Sequence, residues 1–484
     1  MKEESKDSSD IIYYEQQQLK DKSLKYSIKD GVFASIMSGM SESYIHAFAV
    51  FLKATNAQIG LLSSIPQLMI ALFQVPAARI TEKLKQRKKI VLISVFFNAL
   101  TLFLISFLPY LTKSVVLLIV LFSLYLLFNS FAVPAWSSWM GDLVDDNKRG
   151  RYFGMRNRVT GFFSVISIFI GGYLLDHISN INGFLAFGVI FAIAGFSRLI
   201  SFYFLSRKYE PTYKSLDEER FTFTQFLKRI TQTNFGIFTI YVCLMQFAAN
   251  VASPFIIVFQ LKVLNFSYLQ YAILIGTTAT VTFITIKYWG EHSDDFGNKK
   301  MFQITGMLIF IIPLLWVFIR SFKWAVVEAI FSGFVWAGFN LSASNFIYDT
   351  VRPSKRTQAI AYFNVIKGIS VFIGASLGGL LSIVLPDTKI FISSLVIIFI
   401  ISAVLRLSAS LIMLPLINEV RIVKRPPHFM HFLAVMPLQG LVFDSISGMR
   451  VTYKKLSESF VIIKNLKISK ERLAKFKKWS IYRM

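Results

Sequence analysis

The chain has 484 residues, 54% of them hydrophobic, with 49 Phe, only 16% charged residues and a formal net charge of +25. A composition this apolar excludes an ordinary soluble domain, and the single cysteine, Cys243, excludes an internal disulfide and a cysteine-cluster metal site. The basic balance does not point to nucleic acid, because the positive charges sit between long apolar segments rather than on one patch.

Residues 1–30 are polar and lack the short apolar core and small-residue cleavage site of a signal peptide, so the first apolar segment is expected to remain as a helix. Twelve segments follow that can cross about 30 Å of hydrocarbon as helices. They run roughly over 31–52, 58–78, 90–109, 114–139, 159–175, 184–205, 235–261, 268–286, 301–319, 324–347, 368–385 and 390–414. The pattern predicts an all-α, multi-pass integral membrane protein.

On span 1, Glu42 lies twelve residues after Asp30, roughly 18 Å along a helix and close to the midplane. His46, four residues on, shares its face. A carboxyl at that depth can exchange protons near neutral pH, and the imidazole can relay them or touch a substrate. The alternative is a polar pair that hydrogen-bonds neighbouring helices. Span 2 carries Gln67 and Gln74, and span 4 carries Asn129 and then Trp136 and Trp139 at the inner interface. The stretch that follows, GDLVDDNKRGRYFGMRNR (141–158), puts eight charged side chains into eighteen positions.

Arg198 and Arg406 fall about nine residues before the inner ends of spans 6 and 12, roughly 13 Å deep. Each can hold an anionic substrate, Arg198 can pair with Glu42, or both can snorkel to the inner interface. Gln246 and Asn250 on span 7 share a face, as do Trp336 and Asn340 on span 10. Amides with an aromatic ring suit an uncharged or zwitterionic solute; amides also join helices in membranes. Glu328, five residues from Lys323, reads as interfacial. GASLG (374–378) fits a nucleophile-elbow pattern but lies inside an apolar span, where small residues serve helix packing. No catalytic constellation, metal-ligand arrangement or nucleotide-binding loop is legible, so no enzyme activity and no cofactor are expected, and energy should come from a gradient.

With the N-terminus inside, the cytosolic segments hold 44 of the 52 Lys and Arg, and the exterior loops hold six. This asymmetry predicts a multi-pass protein of the cell membrane with both termini cytosolic. The chain also repeats itself. A shift of 207 residues lays Asp142, Lys148, Arg149, Asn157, Gly161, Gly171 and Gly172 on Asp349, Lys355, Arg356, Asn364, Gly368, Gly378 and Gly379. Small further shifts bring Asn56 onto Asn265, Lys88-Lys89 onto Lys299-Lys300 and Arg198 onto Arg406. Two pseudo-symmetric six-helix halves are implied. The expected organisation is a cytosolic tail (1–30), a first half (31–205), a cytosolic bridge (206–233), a second half (234–417) and a basic cytosolic tail (418–484).

On these features the chain resembles members of the major facilitator superfamily over residues 30 to about 417. The six-plus-six layout carries the resemblance together with two loops. GEHSDDFGNKK (290–300) is similar to the family signature G-x-x-x-D-x-x-G-x-[KR]-[KR] through Gly290, Asp294, Gly297, Lys299 and Lys300, and residues 141–158 resemble the family's acidic-plus-basic stretch after span 4. The resemblance implies an inner-face latch formed by these residues with Asp142, Arg149, Arg151, Arg156, Asp349 and Arg356. Gly290 and Gly297 would permit a tight turn and close helix approach. A solvated loop that only sets orientation is the alternative. The first-half counterpart, RITEKLKQRKK (79–89), departs from the signature at Arg79, Lys83 and Gln86. Span 5 has the paired glycines of the family's antiporter motif without the preceding Gly-Pro, which weakens a drug-efflux reading.

By the same resemblance spans 1, 4, 7 and 10 line a central cavity between the halves, gathering Glu42, His46, Asn129, Gln246, Asn250, Trp336 and Asn340, with Gln67, Gln74 and Arg198 as further candidates. The function implied is secondary active transport of a small solute by alternating access, coupled to protons through Glu42, by a monomer in the lipid bilayer. The competing class is a non-transporting membrane sensor or partner-binding protein on the same scaffold. The tail carries fourteen Lys and Arg and apolar residues near helical spacing, which fits an amphipathic helix on anionic lipid.

Overall fold

The computed structural model describes residues 2–145, 148–212, 222–352, 355–385 and 393–420, and among them all regular structure is helical. The expected tail helix on anionic lipid and the middle of the bridge lie outside the described residues. The first half contains α1 (Lys2–Ser41), α2 (Ile45–Phe51), α3 (Asn56–Leu84), α4 (Arg87–Leu111), α5 (Val115–Leu143), α6 (Arg149–Ser179) and α7 (Gly183–Ser206). A short α8 (Phe223–Lys228) precedes α9 (Asn234–Val258), α10 (Tyr268–Phe296), α11 (Asn298–Ile309), α12 (Ile311–Phe318), α13 (Phe322–Thr350), α14 (Arg356–Val384) and α15 (Leu395–Met413).

Among the described residues eleven helical segments are long and apolar enough to span a membrane, counting α9 with the π-helical turn Phe259–Val263, and α11 with α12, as one each. The twelfth position, expected at 31–52, is filled by the end of α1 and by α2. Helices are the form this sequence must take, because hydrocarbon offers no partner for an open backbone N–H or C=O. Their lipid-side faces show large apolar side chains such as Phe107, Phe196, Ile284 and Ile383. Polar residues occupy the helix starts: Thr55 and Ser267 each form a reciprocal capping box, with Gln58 and Gln270, at α3 and α10.

The break between α1 and α2 falls at residues 42–44, with neither proline nor glycine present. Ser35 and Ser41 turn their hydroxyls back onto the carbonyls four residues earlier, Gly31 and Met37, and Ser38 onto that of Ser35. Such bonds compete with the helical ladder and bend it. The turn closes with Tyr44 N–H on the Ser41 carbonyl at 3.1 Å. Glu42 is therefore carried on a corner rather than on the face of a continuous helix.

Within the first half α1 packs on α6 and α7, and α4 on α5 and α7; within the second, α9 packs on α14 and α15, and α10 on α13. The halves meet where α3 lies against α14 and α6 against α10. The duplicated glycine pairs explain how close they come. A Cβ on Gly171 would meet the Tyr44 ring of its own half at 2.7 Å, and one on Gly172 would lie 2.0 Å from Ala272 Cβ of the other. Gly378 likewise faces Val251 O of its own half, while Gly60, on α3, would place a Cβ 2.8 Å from Ala375 O and 3.1 Å from Gly379 Cα of α14.

Three bonds tie the halves at the end assigned to the exterior. Tyr271 OH donates to Ser43 O at 2.8 Å, Lys262 Nζ to Ala54 O at 3.0 Å, and Leu269 N–H to Asp176 Oδ1 at 3.4 Å. Gly172→Ala is expected to lower thermal stability in detergent by about 1–3 kcal/mol, the usual range for overpacking. Ala272→Gly in the same chain should restore much of it, whereas Gly150→Ala, with open space around it, should be neutral. Thermal unfolding of wild type, the two single variants of the pair, their double variant and Gly150→Ala checks this, and strict additivity of the pair would contradict the contact.

Candidate functional site

A cavity of about 760 Å³ lies between the halves beneath the three ties. Seven of the ten expected residues line it: Glu42, His46, Gln67, Gln246, Asn250, Trp336 and Asn340. Gln74, Asn129 and Arg198 are not on its wall. Gln74 is two turns beyond Gln67 on α3, and Asn129 one turn beyond Tyr125 on α5. Three charged residues not expected there do line it: Glu328, Lys367 and Arg406.

Each half braces one buried arginine. In the first, Arg198 Nε donates to Asn98 Oδ1 at 2.9 Å, and Asn98 Nδ2 donates to the carbonyl of Tyr125 at 2.9 Å. Tyr125 OH in turn donates to Glu42 Oε1 at 2.7 Å, and Arg198 lies within electrostatic reach of Glu42. In the second, Arg406 Nε donates to Ser402 Oγ at 3.1 Å and its other nitrogens to the carbonyls of Ile309 and Ala249. Glu328 lies within electrostatic reach of Arg406. Both guanidinium groups are thus consumed inside the bundle, at 7% and 2% exposure, and neither snorkels. Glu328, at 6% exposure, faces the cavity rather than the interface, because a helix starting at Phe322 carries it inward by more than a turn.

His46 Nε2 meets Ser63 Oγ at 2.7 Å across α2 and α3, so the imidazole is positioned but not joined to Glu42 by any direct bond among the described residues. Lys367, counted with the cytosolic loop by hydropathy, is eleven residues inside α14, roughly 16 Å along it. Gln260, in the π-helical turn that ends α9, adds a further amide to the cavity wall.

The inner ends of the two halves repeat one arrangement. Asp142 meets Arg87 Nη1 at 2.5 Å, and Glu210 lies 3.7 Å from Arg87 Nε and accepts the backbone N–H of Lys88 at 3.1 Å. At the matched positions Asp349 accepts from Asn298 Nδ2 at 2.6 Å, and Glu419 accepts the backbone N–H of Lys299 at 2.7 Å. Arg149 donates to Gly141 O at 2.8 Å and Arg356 to Tyr348 O at 3.1 Å, both eight residues back. Arg156 donates to Ser27 O and stacks on Trp136 at 4.6 Å. Arg151 is exposed, as is Lys300.

Asp294 lies in the last turn of α10, and Gly297 forms the turn to α11 with φ 82° and ψ 160°, a conformation open essentially to glycine alone. The first half makes the equivalent turn with Lys85 in the left-handed region at φ 53° and Gln86 at φ −116°, ψ 68°, which is how it dispenses with the glycine. Gly290 differs from expectation: it sits inside α10, and a Cβ there would meet nothing nearer than Leu341 at 3.8 Å, so no close approach requires it. Lys208, just past α7, is enclosed by Asp30 at 3.4 Å and the Trp139 ring at 4.7 Å. Burial pushes its ammonium below the usual lysine range, and the Asp30 carboxylate opposes that shift.

Arg87 is almost fully buried while Asp142 is about one-third exposed. Arg87→Ala should therefore cost about 2 kcal/mol of stability, below the roughly 3–5 kcal/mol of a fully buried pair because Asp142 is partly solvated. Asn298→Ala, which removes a single neutral donor, should cost about 1 kcal/mol. Equal losses in thermal unfolding would show that charge is not what separates the two halves here.

The sequence matches the family model described as Major Facilitator Superfamily over residues 31–290 and 238–460. No curated protein matches it at a significant level. Among solved structures, a point mutant of the nucleoside transporter NupG superposes with a TM-score of 0.69 at 15% identity, covering 82% of this chain and 100% of that one. A bacterial homolog to the human lysosomal transporter Spinster, inward-facing and occupied, gives 0.64 at 15% identity over 85% and 99%. A POT family transporter in complex with 5-aminolevulinic acid gives 0.64 at 11% identity over 82% and 96%. Likeness at these identities is likeness of fold, while the family model spans most of the chain. The protein, a membrane-embedded bundle of two six-helix halves around a central cavity, belongs to the major facilitator superfamily of transporters.

Proposed function

We propose that the protein is a secondary active transporter that moves a small solute by alternating access, coupled to protons through Glu42. In this reading it resides in the cell membrane with both termini cytosolic, and it is held in the state closed to the exterior. The observation that carries the reading is where Glu42 sits. Its carboxylate lines the cavity and accepts from Tyr125, yet the next residue, Ser43, supplies the carbonyl that receives Tyr271 in an exterior tie. Tyr44, one further on, donates to the carbonyl of Ile168 on α6. Protonating Glu42 removes the charge that the Tyr125 hydroxyl and Arg198 stabilise, and the three-residue corner is the shortest route from that change to the gate.

The charged inner ends are read as latches that stiffen each half's cytosolic rim. Asp142, Arg149, Asp349 and Arg356 brace bonds inside their own half, and Gly297, Lys299 and Asp294 shape the α10–α11 turn. An electrostatic rim of this kind exchanges partners when the halves rock.

With the substrate identified from a labelled solute panel in proteoliposomes, Glu42→Gln is expected to abolish proton-driven accumulation while sparing counterflow exchange. If accumulation persists, Glu42 is not the coupling group. Tyr271→Phe should loosen the exterior end and raise labelling, by a membrane-impermeant thiol reagent, of a cysteine placed at Ser253 on the cavity wall in a Cys243→Ser background. Unchanged labelling from the exterior would remove that tie from the gate.

A further inference from the structure

We infer that the transported solute carries an anionic group and that Lys367 is the residue that binds it. This rests on the transport reading of the cavity and adds the chemical class of its occupant. Four formal charges line the cavity: Glu42, Glu328, Arg406 and Lys367. Three are already answered. Glu42 has the Tyr125 hydroxyl and the field of Arg198 behind it. Arg406 has Ser402, two carbonyls and the field of Glu328, which answers that carboxylate in turn.

Lys367 has no carboxylate within salt-bridge distance among the described residues, and the ionisable group within its electrostatic reach is the thiol of Cys243 on α9. A cation at membrane depth without a counter-ion is costly, and such groups default to ligand or ion pathways. Lys367 lines the cavity, where an anionic group on a solute would supply the counter-ion the protein does not.

Its placement is built. Gly368, the next residue, lets α14 approach α3 so closely that a Cβ there would lie 2.6 Å from Ala71 Cβ and 3.2 Å from Gln67 O. Lys367 is therefore carried at the seam between the halves, where it lines the cavity within electrostatic reach of Cys243 on α9, with Gln246 one turn beyond on the same wall. With each glutamate matched to an arginine, Lys367 leaves the site one positive charge in excess. That selects a solute bearing one carboxylate or one phosphate-type group, oriented by the amides and by the Trp336 ring.

The test uses the purified full chain in detergent and matched solutes that differ in charge alone: amino-acid N-acetyl derivatives against their amides, aromatic monocarboxylates against their carboxamides, and sugar phosphates against the free sugars. Thermal stabilisation is measured for wild type, Lys367→Gln, Lys367→Arg and Trp336→Ala. At least one anion should stabilise wild type and its neutral mate should not. Lys367→Gln should weaken that anion about 10- to 100-fold, as expected for losing a hydrogen bond to a charged partner. Lys367→Arg should keep part of the effect, and its unliganded melting temperature reports whether the site still folds.

The carboxylate and phosphate arms separate the two anion types. Stabilisation only by neutral members that Trp336→Ala removes would overturn the anion assignment and leave the transport cavity standing. Anion stabilisation unchanged in Lys367→Gln, or none by any anion, would overturn it as well. Stabilisation by any solute that neither cavity variant diminishes would count against the cavity itself.

Discussion

A charge inside hydrocarbon has to be answered by its neighbours, and most of this molecule is arranged around that requirement. Arg198 and Arg406 are almost wholly enclosed by the bundle, so Asn98, Ser402 and three backbone carbonyls come to meet the two guanidinium groups and their Asn98 bridge. Those bonds join α4, α5 and α7 in one half, and α9, α11 and α15 in the other. Each half is consequently a rigid body with a polar bolt through it. What crosses between the bodies is different in kind: apolar packing of α3 on α14 and of α6 on α10 over glycine surfaces, with, among the described residues, three hydrogen bonds at one end.

Duplication supplied both halves with the same bolts and rims, and divergence then placed the chemistry. The arginines at 198 and 406 have kept their place with different partners, while the rim acids at 210 and 419 and the eight-residue reach of Arg149 and Arg356 have kept their geometry. The carboxylates have not. Glu42 lies on the α1–α2 corner, and its counterpart by the repeat is Val251; Glu328 lies on α13, opposite Leu121. Lys367 corresponds to Thr160. A cavity built from symmetric scaffolds is thus lined asymmetrically, as a site for an asymmetric solute must be.

Much of this was legible before any coordinates. Twelve apolar segments, the charge asymmetry and the 207-residue repeat determine an all-α membrane bundle in two halves, because spanning length and repetition are properties of the sequence itself. Seven cavity residues followed from helix periodicity joined to family resemblance. The remainder escaped for identifiable reasons. Lys367 stands one residue outside a boundary drawn at the first apolar position, although a helix does not stop where hydropathy does. Glu328 was judged by its distance in sequence from Lys323, which ignores which way its helix turns it. Arg87 looked like one more inner-face positive charge, since nothing local shows that Asp142, fifty-five residues on, is its partner. The corner at Glu42 has no proline or glycine to announce it.

The start of the bridge is sewn to the first half. Tyr209 N–H donates to Ser23 Oγ and its carbonyl accepts from Trp139 Nε1; the carbonyls of Lys208 and Pro211 accept from Lys88 and Arg87. On the other side, Thr222 caps α8, whose Phe223 and Phe226 stack on Tyr362 of α14. Between these two anchored ends the chain runs ten links from Thr212 to Thr222, a length that even fully drawn out spans no more than about 36 Å. On the alternating-access reading, that length sets a ceiling on how far these rims can part, so the amplitude of opening is written into the count of residues between two anchors. Lengthening or shortening it would retune the stroke without touching the binding site.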